Sequence, residues 1–142
     1  AAAPQGIISF EFAATPERAQ EMLDSWPLEA RARAGFIQGL DFLFPIAYST
    51  TVGLGCVMAA GVIGRRGQSI SRLGTWLAWG LWLAAALDFI ENIGLTILLF
   101  GTVQSPYPQI AAVCAALKFA LLAAGMVYSF YGLALKAVPA TS

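Results

Sequence analysis

Asp41, Asp88, Glu91 and Lys118 stand well inside three long apolar runs, Asp41 in the first, Asp88 and Glu91 in the second, Lys118 in the third. A charged side chain in the hydrocarbon of a bilayer is costly, so such groups pair, bind a ligand or carry protons. Asp88, Glu91 and Asn92 follow one another at i, i+3 and i+4, which sets them on one helix face. Two carboxylates in unlike environments can split their pKa values and transfer protons, one holding a proton while the other accepts it. With Asp41 they also make hard oxygen donors of the kind that Mg²⁺ or Ca²⁺ takes. Lys118 competes for those oxygens, so no metal is expected. Three carboxylates against one ammonium leave an excess of negative charge that a low-dielectric interior penalises. The excess disappears if an acid keeps its proton, a cationic ligand binds, or water enters from outside.

The elements that carry these residues are written in the composition. Of 142 residues, 58% are hydrophobic and only 11% charged, too few charges to cover a soluble surface. Apolar runs of this length read as membrane-spanning helices. The expected fold is an all-α polytopic membrane helix bundle with spans near 34–63, 73–100 and 108–135, four spans if another precedes Ala1. Counted inward at about 1.5 Å per residue, the four ionisable groups fall roughly 10–18 Å below the same outer surface. Tyr48, two turns beyond Asp41, adds a hydroxyl to that layer. The candidate site is therefore Asp41, Tyr48, Asp88, Glu91, Asn92 and Lys118, with no catalytic residue assigned. Pro45 removes the N–H that would bond the Asp41 carbonyl four residues back, so a kink is expected there.

Residues 1–33 read as an extracytoplasmic segment ahead of the bundle at 34–142. Within it, Ile8, Phe10 and Phe12 alternate with polar residues, the pattern of a short extended stretch or the ragged end of a preceding span. Thr15, Pro16 and Glu17 supply an N-cap, a proline at the first helical position and an acid in the first turn. An amphipathic helix over 16–26 follows, with Ala19, Met22, Leu23 and Trp26 on one stripe. It is expected to lie flat at the interface or to dock on the bundle. The chain opens Ala-Ala-Ala-Pro without methionine, as after a signal-peptide cut or a preceding helix.

Arg65, Arg66 and Arg72 lie between the first two runs, and the link between the last two has no charge. Positive-inside bias puts the first link and the C-terminus in the cytoplasm and the N-terminal segment outside. The absence of histidine removes the usual haem and chlorophyll ligand, and no cofactor is expected, although a lipid, quinone or carotenoid fits the aromatic faces. Net charge is zero, which gives no argument for nucleic acid. Cys56 and Cys114 fall at depths too different for a disulfide, and each is expected to be a buried thiol.

Asp41-Phe42-Leu43-Phe44 with Tyr48, Asp88-Phe89-Ile90-Glu91-Asn92, and Lys118-Phe119 resemble segments of small, uncharacterised bacterial inner-membrane proteins. The resemblance implies a bacterial plasma membrane and no activity. Two functions fit. One is a non-catalytic accessory or scaffold subunit, associating with lipid and with other membrane subunits or itself, whose polar cluster locks the bundle or holds the polar head of a lipid-like ligand. The other is an intramembrane enzyme or proton-coupled carrier for an amphiphile, using Asp88, Glu91 and Lys118.

Overall fold

Helices follow wherever the sequence supplies a start signal and an uninterrupted run. The computed structural model describes residues 6–138, so the expectation attached to residues 1–4 lies outside it. The order is α1 (Gly6–Glu11), α2 (Pro16–Ser25), α3 (Leu28–Asp41), α4 (Phe44–Arg65), a 3₁₀ turn (Ser69–Arg72), α5 (Leu73–Phe100) and α6 (Tyr107–Ala137). Among the described residues there is no strand, and the fold is all-α. Three segments, Phe44–Arg65, Ser69–Phe100 and Tyr107–Ala137, are long and apolar enough to cross a membrane.

Two local outcomes depart from the expectation of extended chain and of one continuous first span. Residues 6–11 are helical, with Phe10 buried and Ile8 exposed, so the period-two alternation does not mark a strand and its apolar residues fall on different faces of the helix. The run from 34 to 63 is divided between α3 and α4, with Phe42 and Leu43 between them. Pro45 explains the position of the break. It cannot donate to the carbonyl of Asp41, and its ring crowds that carbonyl, so the ladder stops there and restarts with proline in the first turn of α4.

Contacts divide the chain into two compact units. The first joins the residues up to Pro45 with Ala86–Leu117. Its core takes Phe10, Met22, Leu23, Trp26, Leu95 and Leu98, closed by small residues such as Ala19, Ala30 and Ala111. The stripe of α2 is thus docked rather than lying on a lipid surface, and Phe10 meets Trp26 with ring centroids 5.3 Å apart. Thr15 accepts a hydrogen bond from the Arg18 N–H at 3.2 Å, fixing the start of α2. At the other end of α2, the Arg31 Nε donates to the Leu23 carbonyl at 3.0 Å. It joins the Trp26 N–H, 3.1 Å away, as a second donor to that carbonyl in the last turn of α2.

The second unit joins Ile46–Ala85 with the chain from Lys118 onward. Its core is built from Cys56, Ala59, Ile63, Leu81 and Tyr128. Backbones approach closely there: a Cβ placed on Gly132 would sit 2.3 Å from that of Ala59. Small residues at such crossings let apolar helices pack without a hydrophobic drive between them. The Tyr128 hydroxyl lies 3.1 Å from the carbonyl oxygens of both Ile70 and Ser71, tying α6 to the 3₁₀ turn that leads into α5. Tyr131 adds a hydroxyl bond to Gln68 at 3.0 Å.

Candidate functional site

The polar face of α5 is positioned by helix periodicity alone. Leu81, Ala84, Ala85, Asp88, Glu91, Asn92, Leu95, Leu98 and Leu99 recur at three- and four-residue steps and are all buried. On the other side Trp76, Trp79, Trp82, Leu83, Ile90 and Ile93 are exposed. A helix with an apolar outside and a face that buries two acids and an amide is compatible with a hydrocarbon surrounding.

Asn92 is the centre of the first unit's polar network. It is 0% exposed. Its Oδ1 accepts from the Gln38 Nε2 at 2.7 Å. Its Nδ2 donates to the backbone carbonyl of Asp41 at 3.3 Å. That carbonyl is the one left open by Pro45, so the break in the first run and the amide on α5 explain each other. Gln38 stands three residues before Asp41, on the same face of α3, and is 3% exposed. Beside the network, the rings of Phe42 and Phe89 lie 6.2 Å apart, a second link between the end of α3 and α5.

Asp88 and Glu91 are 2% and 0% exposed, and Glu11 on α1 is 6% exposed. Together these acids form a buried charge cluster in the first unit. One oxygen each of Glu11 and Glu91, the Oε2, is closed off from solvent. Asp41 itself is half-buried at the last position of α3. The sequence places it seven residues inside a continuous span; the structure ends a helix on it, before the span-length α4 begins at Phe44. Tyr48 and Lys118 are both buried, at 9% and 6% exposure, but belong to the second unit. The Lys118 ammonium lies 5.1 Å from the ring centroid of Phe119.

The structure therefore gathers Asp41, Asp88, Glu91 and Asn92 of the expected site in one unit and adds Glu11 and Gln38 to them. Gln38 carries a signal that spacing alone offers: a second polar residue one turn from Asp41 in an apolar stretch. Glu11 carries none, because its segment is too short for a helical period to show. Among the described residues Cys56 and Cys114 form no disulfide, and both are buried. Among the described residues, no set of three histidine, cysteine or acidic side chains converges as metal ligands do. A buried cluster of carboxylates and amides can hold helices in register or store protons. Fold and site together define a small all-α protein with three membrane-length helices and a buried charge cluster. No family model matches the chain, and neither a curated protein nor a solved structure does.

Proposed function

We propose that this is a small integral membrane protein with a non-catalytic role, an accessory or scaffold subunit whose polar cluster locks the N-terminal helices onto α5. One observation carries the reading. The Asn92 amide spends both its ends on α3, accepting from Gln38 and donating to the Asp41 carbonyl, while Asp88, Glu91 and Asn92 are at most 2% exposed. Groups so enclosed and so engaged serve the protein's own packing, and buried polar contacts of this kind fix one register among several apolar ones. Among the buried side chains of the described residues Lys118 is the one cation, so charge balance in the interior leans on it.

The likeness of Asp88-Phe89-Ile90-Glu91-Asn92 and Lys118-Phe119 to small bacterial inner-membrane proteins supports a plasma-membrane location. The arginines between α4 and α5 support a cytoplasmic side for that link, with the N-terminal helices outside. The exposed aromatic and aliphatic faces of α4, α5 and α6 suit lipid, a lipid-like ligand, other membrane subunits or a second copy.

The test is neutral replacement at constant shape. Asp88→Asn and Glu91→Gln are each expressed, scored for assembly on a native gel, and scored for growth under conditions where deleting the gene impairs it. The lock predicts loss of assembled protein. Intact assembly with lost growth support would instead favour proton handling by these acids.

A further inference from the structure

In the second unit, α4 and α6 run together at the Ala59–Gly132 crossing, and a groove of about 490 Å³ opens alongside it. Its walls are apolar, from Val57, Met58, Phe130 and Leu133, which are all exposed. Its lining holds two cations and no acid: Arg65 and Lys136, each in the last turn of its helix. Arg65 is turned back along the groove rather than away from it, since a Cβ on Gly61, one turn earlier, would lie 3.8 Å from its Nη1. Among the described residues, neither cation has a hydrogen-bond or ion-pair partner.

Arg66 shows the contrast. Its Nη2 donates to the carbonyls of Leu135 and Val138, so it closes the end of α6 and is already engaged. Arg65 and Lys136 are left with their charge at the end of an apolar trough. Helix C-termini carry partial negative charge, which accounts for one cation at each end but not for their convergence on a shared groove. The occupant that complements this arrangement has acyl chains for the apolar walls and a phosphate for the two cations.

We propose that the α4–α6 groove binds an anionic phospholipid, its phosphate held between Arg65 and Lys136 and its acyl chains laid over Val57, Met58 and Phe130. The proposal rests on the membrane reading above but not on the polar lock, whose residues take no part in it.

The experiment uses the full chain in bilayer discs of equimolar phosphatidylglycerol and phosphatidylcholine, released into the gas phase so that co-retained lipids are weighed. Phosphatidylglycerol is expected to be retained in preference to phosphatidylcholine. Arg65→Gln with Lys136→Gln should weaken that preference about twenty-five-fold, roughly fivefold for each basic group. Arg72→Gln, which removes a cation outside the groove, should leave it unchanged. Gly61→Leu narrows the groove without changing the number of charges; a Cβ there meets nothing nearer than the Arg65 Nη1 at 3.8 Å, and the preference should fall. Equal loss with Arg72→Gln would show a general surface-charge effect and overturn the groove. A dimer abolished by Gly61→Leu, without lipid preference, would overturn it in favour of a second copy. Failure of the chain to enter the discs would sink the membrane reading too, whereas entry without lipid preference would sink this proposal alone.

Discussion

A buried asparagine brings two donors and an acceptor into a place water does not reach, so its partners decide whether it stabilises or destabilises. Asn92 meets that condition through Gln38 and the Asp41 carbonyl. Asn92→Leu leaves both without their bond and should cost about 1–3 kcal/mol. Asn92→Leu with Gln38→Leu should cost less than the single change, because one stranded amide is removed along with its partner. Unfolding midpoints in mixed micelles titrated with dodecyl sulfate measure both, and a double variant weaker than the single would refute the pairing. At this scale the sequence was partly legible. Asp88, Glu91 and Asn92 declare themselves, because a helix face repeats at three and four residues whatever packs against it. Gln38 had its spacing from Asp41 as a signal, whereas Glu11 became a site residue only through tertiary packing, which brings α1 onto the same core as Leu95 and Leu98.

Elements were legible where the cause is local and obscure where two causes meet. Thr15-Pro16-Glu17 fixes the start of α2 from sequence, and the structure caps it as those residue types require. Pro45 announced a disturbance near Asp41, but its extent is a full separation of α3 from α4 rather than a kink. The missing ingredient was Asn92, whose amide takes up the stranded Asp41 carbonyl and so makes the break tolerable. Pro45→Ala supplies an N–H that can reach that carbonyl. The penalty of Asn92→Ala should therefore shrink by about 0.5–1.5 kcal/mol in the Pro45→Ala background. Additive effects in that double-mutant cycle would break the link between proline and amide. Helix crossings offer a sharper contrast. Gly132→Ala forces a methyl against Ala59 and should destabilise by about 1–3 kcal/mol. Gly39→Ala meets no atom within 4 Å and should stabilise α3 by ~0.5–1 kcal/mol. Similar unfolding midpoints for the two variants would show that the α4–α6 approach is not limiting.

At the scale of the whole molecule, composition announced the class, because 11% charged residues cannot clothe three helices of this length in water. Orientation is a finer matter. The side proposed as cytoplasmic carries Arg65, Arg66, Arg72 and Lys136, and the side proposed as external carries Arg18, Arg31 and Arg33. The margin is one charge, but the two sets are not equivalent. Arg31 is bound to the Leu23 carbonyl and Arg33 to Glu29, so two of the three external arginines are already engaged in the N-terminal helices. Arg65 and Arg72 stand exposed within a few residues of the span ends, where basic residues resist translocation most. The link from α5 to α6 has no charge to hold it back. Labelling in whole cells with a membrane-impermeant maleimide decides the matter. Cys56 and Cys114 are first replaced by alanine, which removes two buried thiols. A cysteine at Glu21 should then react in intact cells, and one at Ser69 only after lysis. Both positions are exposed, so silence cannot be blamed on burial. The reversed pattern would turn the molecule over, placing Arg65 and Lys136 at the external leaflet and their phospholipid with them.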